Sequence, residues 1–179
     1  AFEWAVARDE TEVIVRLFRS IGMYWMFVGA IDEGIRWGET AVQAASRLGR
    51  DDAHLSALVI LSEFLRCSGE SDRAIELKTD VLGLARAIGD HTMIAVTLGD
   101  MASIHATKGQ FALAHALLAE AQDVHDRERS TDVMERVHTI VTRAEVALME
   151  GNVAGAERHV AEATKLESGA DLPPDWIVE

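Results

Sequence analysis

Apolar residues recur with helical spacing through most of this chain, and glycines interrupt that pattern at regular intervals. From residue 29 to residue 109 the interrupting glycines stand 20 residues apart, a distance that suits one helix and its turn. Glycine tolerates the left-handed backbone that ends many helices, so an even series of glycines between amphipathic segments predicts a series of helix ends. The predicted ends are Gly29, Gly49, Gly69, Gly89, Gly109 and Gly151.

Every second glycine closes a pair of helices, which makes the repeat about 40 residues long. The turn glycines inside successive pairs are separated by 40, 40 and 42 residues. Compact residues follow these glycines at two fixed distances, where two helices can approach closely. They are Gly34, Ala74, Ala114 and Ala156 five residues on, and Ala41, Val81, Ala121 and Ala163 twelve residues on. Large apolar residues precede the same glycines by eleven positions, at Phe18, Leu58, Leu98 and Ile140. All of these positions are predicted to be buried.

The pattern predicts an all-α fold, a right-handed superhelical solenoid of about four antiparallel helical hairpins. We expect one repeat domain over residues 1–167, with repeats near 11–49, 51–89, 91–129 and 131–167 after a remnant of an earlier helix at 1–8. Residues 168–179, which hold both prolines, are expected to form an irregular tail. The predicted helices run near 1–8, 11–27, 31–48, 52–67, 71–88, 91–107, 111–127, 131–149 and 153–167. Their expected N-caps are Asp9, Asp51, Ser71, Asp90, Ser130 and Asn152.

Composition narrows the classes of function. The formal net charge is −13, with 30 acidic and 17 basic residues, and this opposes direct capture of nucleic acid. The single cysteine, Cys67, has no partner for an internal disulfide, which favours a cytoplasmic location. No apolar run approaches the roughly 18 residues that a membrane-spanning helix needs.

The chain carries no motif typical of a catalytic or cofactor site. It lacks the glycine-rich phosphate loop, the His-Glu-x-x-His zinc motif and the Gly-x-Ser-x-Gly elbow, so we expect no enzyme activity and no cofactor. His105, His115 and His125 recur every ten residues, a spacing that puts them on different faces of a helix and gives no metal site. We expect His105 to be a buried core residue and Cys67 to be a small packed side chain.

Five segments resemble the tetratricopeptide region of bacterial signal-transduction NTPases that carry SARP-type or LuxR-type DNA-binding domains. The segments are residues 1–5 (AFEWA), 9–12 (DETE), 25–37 (WMFVGAIDEGIRW), 85–90 (ARAIGD) and 108–111 (KGQF). The resemblance implies a sensor or regulatory arm that binds a protein or peptide, including an adjacent NTPase domain of the same native chain. The phosphate loop and the DNA-reading module of that family are absent from these 179 residues.

In such repeats the first helix of each hairpin lines the concave surface, so fixed positions before each turn glycine are predicted to face a binding groove. These positions hold Arg16, Arg19, Met23, Met26, Phe27, Val59, Glu63, Arg66, Cys67, Ser103 and Thr107. Arginines beside methionines and a phenylalanine suit an extended peptide that carries acidic and apolar groups.

Four alternatives stay open. Met23, Met26 and Phe27 are equally suited to cover a preceding repeat or domain, because residues 1–8 already resemble the middle of a helix within a larger protein. Apolar surface at residues 1–8 would also support a homodimer. A free-standing scaffold is the second interpretation of the whole chain, and an enzyme built into the groove is the third.

Overall fold

The computed structural model describes residues 1–128 and 133–169, and every element within those residues is helical. The helices are α1 (Phe2–Ala7), α2 (Thr11–Phe27), α3 (Ile31–Leu48), α4 (Asp51–Ser68), α5 (Ser71–Ile88), α6 (His91–Thr107), α7 (Phe111–Glu128), α8 (Val133–Met149) and α9 (Val153–Ser168). These bounds lie within about two residues of the predicted ones. The predicted cap at Ser130, the start of a helix at 131 and most of the predicted tail, 170–179, lie outside the described residues.

The six predicted turn glycines all adopt the left-handed backbone, with φ between 61° and 85°. That conformation is strained for side chains with a Cβ atom, which explains why glycine stands at each of these helix ends. The glycine spacing therefore predicted the helix boundaries correctly.

The N-caps were predicted less well. Asp90 accepts a hydrogen bond from the Met93 N–H at 2.9 Å, and Asn152 accepts one from the Gly155 N–H at 2.9 Å, as expected. Asp51 and Ser71 are instead the first residues of α4 and α5, so their predictions as caps are wrong. Asp9 is also not the cap of α2, because it lies one residue earlier with φ of 52° and pairs with Arg47 at 3.3 Å.

The chain divides into two compact units, Ala1–Ile88 and Gly89–Glu179. In the first unit α2 and α3 form one hairpin and α4 and α5 form the next, while α4 also packs on α2 and α3. In the second unit α6 pairs with α7 and α8 pairs with α9, and α8 also packs on α6 and α7. Each unit thus contains two antiparallel hairpins that pack on one another.

Compact residues let the helices of the first unit approach closely. A Cβ atom added at Gly34 would lie 2.2 Å from Cε1 of Phe64, and one added at Gly38 would lie 2.8 Å from Cδ1 of Leu61. Phe64 and Phe18 are fully buried beside these glycines, with ring centroids 6.3 Å apart. The positions predicted from the repeat to be compact or large and apolar are buried in both units.

Two side chains differ from their predicted environments. His105 is only half-buried, and its Nδ1 lies 2.6 Å from Oε1 of Gln110. The buried histidine is His125, whose Nε2 lies 2.9 Å from Oγ1 of Thr139. Cys67 is exposed rather than packed, because it falls on the outer side of the last turn of α4.

Candidate functional site

A stripe of four side chains runs along the outer face of α2. Arg16, Ser20, Met23 and Phe27 follow one another at intervals of four, three and four residues, which keeps them on one side of the helix. We call them the α2 stripe. Eleven residues separate its ends, so the stripe extends about 16 Å along the helix. Arg19 lies beside it and is exposed as well.

The stripe has a cationic end and an apolar end. Arg16 and Ser20 border two shallow depressions, one of about 250 Å³ that Val13 and Leu17 also line and one of about 370 Å³ that Arg19 also lines. At the other end Phe27 is 93% exposed and Met23 is 65% exposed. Large apolar side chains in contact with water favour association with another molecule or segment.

The two arginines at the cationic end have no carboxylate partner within residues 1–128 and 133–169, whereas most exposed arginines of the first unit do. Arg36, Arg47, Arg50 and Arg73 each lie within 3.3 Å of an acidic side chain. Arg16 and Arg19 therefore keep their guanidinium donors available to an anionic group of a partner.

The neighbouring helix α4 contributes a charged cluster instead. One carboxylate oxygen of Glu63 lies 2.7 Å from Nζ of Lys78, and the other accepts a hydrogen bond from Nε of Arg66 at 2.9 Å. Lys78 comes from α5 and its side chain is almost completely buried. Burial of the Glu63 carboxyl raises its pKa, but the charge and hydrogen bond of Lys78 and the bond from Arg66 outweigh burial, so the net pKa is lowered. Glu63 is thus ionised and pairs with Lys78 and Arg66 within the first unit.

Nine of the eleven predicted groove residues, including the exposed Cys67, lie on α2 and α4 of the first unit, and two lie on α6 of the second unit. Arg16, Arg19, Met23, Met26, Phe27, Val59, Glu63 and Arg66 belong to α2 and α4, which pack on each other in the first unit. Within this group Met26 packs against the hydrophobic core and Val59 is half-buried. Ser103 and Thr107 belong to α6 of the second unit, where Thr107 donates a hydrogen bond to the Ile104 carbonyl at 2.7 Å.

Sequence reasoning missed Lys78 and Tyr24. Lys78 falls nine residues after its turn glycine, the position that Gly38 and Leu118 occupy in their repeats, and both of those are buried. The repeat register could therefore have predicted a buried lysine that needs an acidic partner. Tyr24 is 63% exposed next to Met23 and Phe27, and it extends the apolar end of the surface.

Neither a group of possible metal ligands nor a helix suited to crossing a membrane occurs in the described part of the chain. No three His, Cys, Asp or Glu side chains there are grouped so that they could hold a metal ion. None of the helices from α1 to α9 combines the length and the apolar character that crossing a membrane requires.

No protein-family model and no curated protein sequence matches this chain. Solved structures do match it. The crystal structure of the apo form of RapI superposes with a TM-score of 0.75 at 14% identity over 95% of this chain, which spans 63% of the RapI chain. The crystal structure of BtubC (BKLC) from P. vanneervenii superposes with a TM-score of 0.54 at 15% identity, covering 100% of this chain and 97% of that chain. At these identities the likeness establishes the fold alone, and that fold is a tetratricopeptide-like helical repeat.

Proposed function

We propose that this chain is a non-catalytic binding module for a protein or peptide, and that the α2 stripe with Arg19 is its main contact surface. The proposal depends on one observation. A single helix face combines two arginines, which lack acidic partners in the described residues, with large exposed apolar side chains. Tetratricopeptide-like repeats offer rigid helical faces to extended or helical partners.

The geometry of the stripe specifies the partner more closely. An extended peptide covers about 3.3 Å per residue, so the roughly 16 Å from Arg16 to Phe27 corresponds to about five residues. The peptide would place an acidic side chain or carboxylate at Arg16 and Arg19 and apolar side chains at Met23 and Phe27. Methionine adapts to different apolar shapes, which suits the apolar end to more than one side chain.

A peptide selection tests this proposal. The full chain would be panned against a random peptide library displayed on phage, and the enriched peptides would be titrated by fluorescence anisotropy. We expect enrichment of peptides with an acidic residue about four or five positions from an apolar one. The Arg16→Gln/Arg19→Gln variant should bind them about tenfold more weakly, which corresponds to about 1.4 kcal/mol.

A matched control is available on the second unit. Arg127 and Arg158 are exposed, and each donates to a backbone carbonyl of its own helix, at 3.1 Å and 3.4 Å. The Arg127→Gln/Arg158→Gln variant removes the same formal charge and should bind the selected peptides as the parent chain does. Equal affinities for the parent and the Arg16→Gln/Arg19→Gln variant would contradict the proposed surface.

The native setting that we propose is the regulatory arm of a larger bacterial transcriptional regulator, where the partner would be an NTPase domain of the same native chain. Support comes from the five segments that resemble such regulators and from the exposed apolar residues of α2. A nucleotide-binding domain encoded upstream of Ala1 in the native gene is the expected finding. A gene that encodes only a short helical repeat protein would favour a free-standing scaffold, and a mass that doubles with concentration in light scattering would favour the homodimer.

A further inference from the structure

The second unit contains a cavity of about 320 Å³ between the first turns of α8 and the last turns of α9. Its floor is apolar and consists of Val133, Ile140 and Leu166. Ile140 belongs to a buried cluster with Val137 and Ala163, so the floor is continuous with the core of this hairpin. The volume lies near the lower limit of small-molecule sites, which range from about 300 to 1,000 Å³.

Two cations line the cavity from opposite helices. Arg136 extends from α8 and Lys165 from α9, and neither forms an ion pair with an acidic side chain in the part of the chain that the structure describes. Glu162 also lines the cavity, but the acidic side chain is directed to a histidine, with its Oε2 3.6 Å from Nδ1 of His159. The three charged groups leave the cavity with one net positive charge.

We propose that this cavity binds a small amphipathic monocarboxylate, such as a short acyl chain that ends in a carboxylate. The apolar tail would cover Val133, Ile140 and Leu166, while Arg136 and Lys165 would hold the carboxylate with charge-assisted hydrogen bonds. The net charge of the cavity matches a monoanion. Glu162 would repel a second negative charge, so the same geometry disfavours inorganic phosphate and other polyanions.

This inference concerns a different unit and a different ligand class from the proposed peptide surface, and it is tested separately. The probe is sodium octanoate, titrated below its micelle-forming concentration into the full chain with isotope-labelled Ile, Leu and Val methyl groups. We expect saturable shifts of the Val133, Ile140 and Leu166 methyl signals in NMR spectra. The uncharged analogue 1-octanol should bind about tenfold more weakly, because it cannot form the charge-assisted bonds.

Variants on both helices separate charge recognition from loss of fold. Arg136→Gln/Lys165→Gln should weaken octanoate binding by about tenfold or more, whereas Arg158→Gln, which removes a cation from α9 outside the cavity, should leave it unchanged. Glu162→Gln should strengthen octanoate binding, and a gain of affinity cannot arise from unfolding. Shifts that do not saturate, equal affinity for octanol and octanoate, or indifference to the Arg136→Gln/Lys165→Gln change would each overturn the proposal.

Discussion

The close approach of α3 to α4 at Gly34 leads to a sharp prediction about stability. In the Gly34→Ala variant the new Cβ atom would lie 2.2 Å, 2.4 Å and 2.5 Å from three carbons of the Phe64 ring. Cβ atoms essentially never come within 3.0 Å of a heavy atom outside their own stretch of chain, so the ring or the helix must move. Phe64 is fully buried next to Phe18, so a movement of its ring disturbs the packing around it.

The magnitude follows from two opposing effects. Replacing glycine by alanine inside a helix stabilises it by about 1 kcal/mol, because glycine loses more backbone freedom on folding. Overpacking a filled core costs about 1–3 kcal/mol. Gly83 gives the matched control, since it lies inside α5 with no atom within 4 Å of an added Cβ. Gly83→Ala should therefore raise the free energy of unfolding, and the difference between the two variants should be about 1–3 kcal/mol, the cost of the clash.

The assay is urea unfolding followed by tryptophan fluorescence, because three of the four tryptophans belong to the first unit. We expect a lower midpoint for Gly34→Ala than for Gly83→Ala, with similar slopes of free energy against urea. Phe64→Leu should cost less in the Gly34→Ala background than in the parent chain, because the smaller side chain relieves the clash. A Gly34→Ala variant as stable as Gly83→Ala would refute the packing argument.

Three further predictions test other parts of the fold. Glu63→Gln should lower the free energy of unfolding by about 1–3 kcal/mol, because it replaces the carboxylate that accepts a hydrogen bond from the buried Lys78 ammonium with a neutral amide, and Lys78→Met should cost less. The pKa of Glu63 is lower in the folded state than in the unfolded chain. Ionised Glu63 therefore stabilises the fold at pH values above its pKa in the unfolded chain, and this stabilisation is lost as the pH falls through its pKa in the folded state. Burial lowers the pKa of His125, although the charge of Glu135 opposes this effect. Because the folded state then disfavours protonated His125, the free energy of unfolding should decrease as the pH falls below about 6.5. His125→Gln should weaken this pH dependence. Asp90→Ala should cost about 1 kcal/mol in thermal unfolding, because Asp90 caps α6.

Each of these expectations has a clear contrary result. Equal losses for Glu63→Gln and Lys78→Met would show that the buried lysine does not depend on the carboxylate. A pH dependence between 7.5 and 5.5 that His125→Gln leaves unchanged would assign that slope to other groups. Asp51→Ala is the comparison for the cap, because Asp51 lies inside α4 and accepts no capping bond. A loss at Asp51 as large as the loss at Asp90 would contradict the assignment of the cap.

The helical organisation was predictable because it depends on local chemistry. A glycine with positive φ ends a helix whatever packs around it, so the spacing of six glycines located the turns. Burial of the compact and large apolar positions followed from the same register, since every repeat presents the same faces to its neighbours.

Environments that depend on contacts between different helices were harder to predict. Cys67 and His105 were expected inside the core from residue type alone, yet both lie near the ends of helices, where less of the surface is covered. The lowered pKa of Glu63 requires Lys78 to reach across from α5, a contact that residue types do not reveal. Asp9 was predicted to cap α2, but it lies one residue before the N-cap position, which Glu10 occupies, and its backbone is left-handed.

The central claim, that the α2 stripe is the contact surface, is tested most directly by locating a bound peptide. The chain contains six methionines, and their methyl groups give a simple NMR spectrum when labelled with carbon-13. Met23 is exposed within the stripe, while Met134 and Met149 are exposed in the second unit and serve as internal controls. On addition of a peptide selected against the full chain, the Met23 methyl signal should shift and saturate, while those of Met134 and Met149 stay in place. Shifts at Met134 and Met149 with an unchanged Met23 signal would contradict the account.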